Sequence, residues 1–230
     1  IAAGADMMVA HHPMIFNGLR HVRTDLYDGK LLQLLLSHNV AVYAAHTNLD
    51  KAEDGVNYEM AERLGLIDVV PMGDCGVVGY LSAPMDSRFF LDRVKEVFHC
   101  QCLMHNEVLS RPIQSVAICG GGGDFLLDEA IAQEADAFLT GEMRYHLYMG
   151  HEQEIQICVL GHYESEQYTV ELLERLLGAQ VVVALGVDSY LLHGLTTVGS
   201  QDLIQLLTGL QDLLSNDLDV AGLTLAPPEG

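Results

Sequence analysis

Three short polar clusters carry most of the candidate chemistry in the 230-residue chain: His11-His12, His46-Thr47-Asn48-Leu49-Asp50, and His162-Tyr163-Glu164-Ser165-Glu166. Imidazole nitrogens and carboxylate oxygens are the donors of transition-metal sites. Pro13 restricts His12 to extended or turn geometry, so two adjacent imidazoles leave a strand at its tip, each free to serve a different ion. His162 and Glu166 stand at i and i+4 on the first turn of a helix and can grip one site from one side. Asp50 adds a hard carboxylate oxygen. Three histidines plus two carboxylates exceed the needs of one tetrahedral zinc with an open position, and fit two ions bridged by a carboxylate or hydroxide. Such a mixture accepts zinc, iron, manganese, cobalt or nickel.

These donors matter only if the fold gathers them. Apolar runs at 7–10, 40–45 and 155–160 read as strands, and each stops at one of the three clusters. In a parallel sheet the carboxyl ends of the strands share one edge, where ligands bind. Taken singly, each cluster is an ordinary turn histidine or a solvated helix face; their coincidence at three strand ends carries the metal reading. Helices are predicted over 29–39, near 55–64, over 125–134 and from about 165 to 177. Another is predicted over 88–98, capped by Ser87 and amphipathic through Phe89, Phe90, Val94, Val97 and Phe98. Strands are predicted at 76–81, 115–119, 137–140 and 181–185, and helical spacing returns over 203–214. The expected fold class is α/β: two α/β lobes with mostly parallel sheets, and the metal site at strand C-terminal ends between the lobes. Residues 1–70 form a first lobe, 71–160 a second, 161–195 a helix and strand completing the first, and 196–230 an acidic C-terminal extension. Residues 1–6 read as the last turn of a helix whose beginning is missing, so the chain is expected to be an N-terminally truncated piece.

Eleven Lys and Arg against 32 Asp and Glu give a formal charge of −21, which repels a phosphate backbone. Nucleic acid and anionic membrane surfaces are therefore disfavoured. Beyond Arg175 the chain carries Asp188, Asp202, Asp212, Asp217, Asp219 and Glu229 with no Lys or Arg. No apolar run reaches the roughly 18 residues of a membrane span, and no signal-peptide pattern is read. Five scattered cysteines (75, 100, 102, 119 and 158) lack C-x-x-C spacing, which points to reduced thiols and a cytoplasmic setting.

Four motifs occur in order: Gly4-Ala5-Asp6-Met7-Met8-Val9-Ala10-His11-His12-Pro13-Met14-Ile15-Phe16, Ala45-His46-Thr47-Asn48-Leu49-Asp50, Thr140-Gly141-Glu142-Met143-Arg144-Tyr145-His146 and Gly161-His162-Tyr163-Glu164-Ser165-Glu166. Over about residues 1–185 the set resembles the dinuclear-metal family called GTP cyclohydrolase I type 2, also known as Ngg-interacting-factor-like. The resemblance implies His11, His12, Asp50, His162 and Glu166 as ligands of two metals. It sets His46, Glu142 and His146 beside them, either as substrate-side groups or as hydrogen-bonded scaffold. Glu142 and His146 are the candidate catalytic proton carriers. It further implies a two-lobed α/β subunit, often a homohexameric ring with its sites facing an internal cavity. The implied partner is a small molecule such as a nucleotide, attacked by metal-activated water; a protein that stores, senses or delivers a transition metal is the other reading. The glycine turn 120–124 is either a tight turn or a phosphate cradle, with Asp124 competing for the same donors. Arg144 and Arg20 are the cations available to a triphosphate. Residues 186–230 do not match the family pattern.

Overall fold

The computed structural model describes residues 5–178 and 183–184. The chain runs through β1 (Met7–Ala10), α1 (Tyr27–Ser37), β2 (Ala41–Ala44), α2 (Thr47–Lys51), α3 (Val56–Leu64), β3 (Ile67–Met72), β4 (Gly76–Met85), α4 (Ser87–Val97) and β5 (Met104–His105). It continues through β6 (Ile113–Cys119), a 3-10 turn at Asp124–Leu126, α5 (Leu127–Ala132), β7 (Ala137–Thr140) and a second 3-10 turn at Tyr145–Tyr148. The last elements are β8 (Gln156–Val159), α6 (His162–Glu166), α7 (Thr169–Leu177) and β9 (Val183–Ala184).

Two sheets result. The first is parallel throughout, ordered β2-β1-β9, with Ala10 in register with Ala44 and Ala184. The second is ordered β3-β4-β6-β7-β8-β5. Its centre, β6-β7-β8, is parallel, while β3, β4 and β5 join antiparallel. The central strands are near-continuous apolar runs because both their faces are covered. Val116, Ile118 and Leu139 pack with Met60, Leu64, Phe90 and Phe98 on one face. Ala117, Cys119 and Phe138 pack with Leu126, Leu127 and Ile157 on the other. The first sheet closes against α7, whose buried Leu172 and Leu173 meet Val9, Ala45 and Leu49.

Several elements depart from the sequence expectations. The stretch 46–50, read as a loop, is mostly the short helix α2: the His46 carbonyl accepts from the N–H of Leu49 and Asp50, and Leu49 is buried. The helix expected from about 165 starts at His162 and breaks at Gln167-Tyr168. There Gln167 Nε2 donates to the carbonyls of Glu164 and Phe98, and the Tyr168 hydroxyl to that of Val97, so the break is pinned to the end of α4. Asp86, not Ser87, caps α4 by accepting the Arg88 N–H at 2.9 Å, a contact worth about 1 kcal/mol. Ser87 instead donates to the Arg111 carbonyl, and Phe89 is exposed rather than in the core. Strand β3 escapes periodicity because most of its side chains are exposed on the outer strand of a hairpin. Strand β4 runs past 81 to Met85 across an irregularity in its pairing with β6. The readings for residues 1–4, most of 181–185, the helix over 203–214 and the extension 196–230 lie outside the described residues. Among the described residues no helix is long and apolar enough to cross a membrane.

Candidate metal centre

His11 and His12 leave the carboxyl end of β1 beside the end of β2. The parallel ladder continues one step past β2, with the Ala45 N–H bound to the Ala10 carbonyl. His11 Nδ1–H donates to the Ala45 carbonyl at 2.7 Å, which fixes the tautomer and leaves Nε2 with its lone pair facing inward. That Nε2 lies 3.7 Å from both Asp50 Oδ1 and Glu166 Oε1. His12 Nε2 lies 3.2 Å from Glu166 Oε2 and 3.2 Å from His162 Nε2. Glu166 Oε2 is also 3.2 Å from His162 Nε2, one helical turn away on α6. The structure thus brings together His11, His12, Asp50, His162 and Glu166 from three segments of the chain.

The floor of the cluster is the glycine turn after β6. Gly121 has φ +57°, and a Cβ there would collide with Glu166 Oε1, so only glycine allows the carboxylate this close. Ser165 ties the floor to α6 by accepting the Gly121 N–H and donating to the His162 carbonyl. The Gly120 N–H goes to Asn57 Oδ1 and the Gly123 N–H to Thr140 Oγ1. Those donors are spent inside the protein, which favours the tight turn over the phosphate cradle. Asp124 is turned away, accepting from Arg144 through both backbone N–H and Nε. Arg20 instead lines a cleft of about 530 Å³ formed by the chain between Met14 and Gly29. Phe16, on that cleft, stands 6.1 Å from the His46 ring.

Around the cluster, His162 Nδ1–H donates to Glu142 Oε1 at 2.8 Å. The His46 ring stands 5.5 Å from His11 and 5.3 Å from His12. His146 is exposed in the second 3-10 turn and, among the described residues, makes no hydrogen bond or ion pair with the cluster. Sequence reasoning missed Asn57. Its Nδ2 donates to the carbonyls of Asp50 (3.0 Å) and Cys75 (2.6 Å), joining α2, the β3–β4 turn and the glycine turn at one buried amide. An asparagine on a helix carries no sequence signal for such a bridge. Ser165 lies within the Gly161–Glu166 motif, where a hydroxyl between two ligand positions is the local signal for such a tie.

The charges are strongly coupled. Burial opposes ionisation of Glu166, but His11, His12 and His162 outweigh it and hold the carboxyl far below the usual range. The Glu166 carboxylate 3.2 Å away, against the cost of burial, pushes His162 up to about 9. Burial pushes Asp50 up to about 6, although the neighbouring imidazoles pull the other way. For His11 burial is likewise the largest influence and lowers the pKa, yet Glu166 and Asp50 together raise it. Burial and the adjacent histidines lower that of His46.

The donor set passes a direct test of fit to a cation. His11 Nε2, His12 Nδ1 and Glu166 Oε2 are buried without a hydrogen-bond partner, a costly state for polar atoms. His11, His12 and Glu166 each offer a ligand atom, and these three lie within 4.8 Å of one another. The imidazole and carboxylate chemistry suits a divalent transition metal.

Residues 1–193 match the family model described as Duf34/NIF3 (NGG1p interacting factor 3). A Clostridium acetobutylicum protein named GTP cyclohydrolase 1 type 2 homolog is 31% identical over 186 residues, covering 76% of this chain and 69% of its own length. A Streptococcus pneumoniae protein of the same name is 30% identical over 155 residues, covering 64% of this chain and 58% of its own length. The Staphylococcus aureus protein SA1388 has a crystal structure that shares the fold with a TM-score of 0.69, at 19% identity, over 84% of this chain and 80% of its own.

Proposed function

The chain belongs to the Duf34/NIF3 (NGG1p interacting factor 3) family, and on that premise we propose that it is a dinuclear metal-binding protein and a metal-dependent hydrolase. His11, His12, Asp50, His162 and Glu166 hold two divalent transition-metal ions, drawn from zinc, iron, manganese, cobalt or nickel. The observation that carries this reading is the set of buried donor atoms on His11, His12 and Glu166 that have no partner within the protein. When bound, the ions supply the Lewis acidity that brings the pKa of a water molecule toward neutrality.

The chain's own groups do the positioning. The Ala45 carbonyl fixes the His11 tautomer and Glu142 orients His162, each leaving Nε2 free. Glu142 has a side chain 64% exposed and can pass a proton between the cluster and solvent; His146 on the neighbouring turn is the second candidate for that task. The cleft with Arg20 and Phe16 offers a cation and an aromatic face to an anionic heterocycle. The substrate on this reading is a purine nucleotide or related small molecule, attacked at an electrophilic carbon such as C8 of GTP, as the relatives' name suggests. We place the activity in the cytoplasm and in a homohexameric ring, with the described part of residues 161–195 completing the 1–70 lobe and 71–160 forming the other.

A second reading, a metal store, sensor or delivery protein without turnover, is favoured by one observation. Arg144 is tied to Asp124 and most glycine-turn donors are consumed, so few groups remain to grip a triphosphate.

The deciding experiment measures metal per chain, then assays GTP, phosphoesters and cyclic amides with and without chelator. About two metals and chelator-sensitive turnover are expected. Fewer than one metal per chain, unaltered in a His11→Ala, Glu166→Ala double variant, overturns the dinuclear reading. Two metals without turnover on any substrate favours the second reading.

A further inference from the structure

Beside the histidine cluster lies a second group of reactive side chains. Cys75 Sγ and Cys119 Sγ stand 3.7 Å apart, although 44 positions separate them in sequence. Cys119 ends β6, and Cys75 closes the turn between β3 and β4. Val77 pairs with Ile118 in the β4–β6 ladder, so the two cysteines fall just past it on neighbouring strand ends. The contact between the two sulfurs holds the pKa of Cys75 down, while that contact and burial push the Cys119 thiol up. Cys75 is only partly buried and lines a small cleft of about 40 Å³ shared with Asp50 and Tyr58, room for a molecule the size of water.

Among the described residues the one trio of mutually close His, Cys, Asp or Glu donors, His11, His12 and Glu166, includes neither sulfur. The remaining thiols are less suited to oxidation in partnership. Cys158 is fully enclosed and burial pushes its thiol up, and Cys100 donates to the carbonyls of Cys102 and Leu160.

We propose that Cys75 and Cys119 are an oxidation site: a small hydroperoxide converts them to a disulfide, and the new bond alters the adjacent metal centre through Asn57. The Cys75 thiolate attacks one peroxide oxygen, the O–O bond breaks and hydroxide leaves, giving a sulfenic acid. The Cys119 sulfur then attacks Cys75 Sγ; the S–S bond forms, the S–O bond breaks, and the hydroxide departs with the Cys119 proton as water. In sum, two thiols and one hydrogen peroxide give one disulfide and two waters.

Closing from 3.7 Å to disulfide length draws the sulfurs together by about 1.7 Å. Cys75 sits on a turn, whereas Cys119 ends β6, which is paired on both sides with β4 and β7. Asn57 Nδ2 holds the Cys75 carbonyl and the Asp50 carbonyl together, so displacement of one disturbs the segment that presents the Asp50 carboxylate. This coupling rests on the metal reading above; the disulfide itself does not.

The test treats the reduced full-length chain with limiting hydrogen peroxide, blocks residual thiols and maps the linked peptides by mass spectrometry. A Cys75–Cys119 linkage formed first is expected, and its formation in a Cys100→Ser, Cys102→Ser background excludes reshuffling. A first linkage between Cys100 and Cys102, or a Cys75 that stays a thiol, overturns the site. Cobalt(II) titration of reduced and oxidised chains should then differ by at least fivefold in affinity, and equal affinities with the bond mapped overturn the coupling. A reduced chain that takes up no cobalt overturns the metal reading and the coupling with it, while the disulfide still stands or falls on the peptide map.

Discussion

Glu142 Oε1 accepts the Nδ1–H of His162 at 2.8 Å, and the opposite ring nitrogen consequently faces Glu166 Oε2 and His12 Nε2 at 3.2 Å each. An exposed carboxylate on the loop after β7 thereby sets the tautomer of a histidine on α6. Replacing Glu142 by Ala is expected to weaken metal binding about 10–100-fold without loss of fold, because no ligand is removed. Glu142→Gln, which can still accept through its amide oxygen, should fall between the two. Competition with a chelator of known affinity measures this; unchanged affinity in Glu142→Ala would reduce the contact to a surface pair.

Metal uptake should strengthen as pH rises from 6 to 9. In the metal-free chain His162 keeps its proton up to about 9 and Asp50 up to about 6, and an incoming cation must displace both. Calorimetry in buffers of different ionisation enthalpy should therefore detect proton release near neutral pH. Uptake that is flat across this range would exclude His162 as a ligand.

Stability of the metal-free chain should move the opposite way. The His162 pKa lies above its ordinary 6.5, so the stability it contributes is full below 6.5 and is lost as pH rises through about 9. Asp50, raised from 3.8 to about 6, adds a loss of the same sign at lower pH. Glu166, held low, contributes above its ordinary 4.5 and loses that contribution only in more acid solution. A Tm that falls from pH 6.5 to 9 without metal, and less steeply with zinc added, is the expected result.

Gly121→Ala should cost about 1–3 kcal/mol and lower metal affinity together, since the added methyl meets Glu166 Oε1 at a positive φ. Gly122→Ala, where a Cβ meets nothing within 4 Å, serves as the control. Denaturant unfolding and metal titration of both variants separate the site-specific effect from a general weakening of the turn.

Asn57→Ala should destabilise the fold by about 1–3 kcal/mol or more, because it strips partners from two carbonyls and from the Gly120 N–H. Thermal unfolding reads this directly. An unchanged Tm would show that water replaces the amide at no cost.

Strands at 7–10, 115–119 and 137–140 were legible because runs such as Val116 to Cys119 are apolar on both faces, the mark of a covered parallel sheet. Strand β3 was not, since an outer strand with mostly exposed side chains has no buried face to impose alternation. The break at Gln167-Tyr168 was equally hidden: local spacing favours one helix, and only the carbonyls at the end of α4 divide it.

The sequence by itself determined which residue types leave the strand ends, and so nominated His11, His12, Asp50, His162 and Glu166, because donor chemistry and i, i+4 spacing are local properties. It also settled the excess of negative charge. Only the tertiary structure decided that Gly121 makes room for Glu166, that Asn57 bridges Asp50 to Cys75, and that Cys75 meets Cys119. Those relationships depend on strand register and on close approach between segments distant in the chain. Neither leaves a pattern in neighbouring residues.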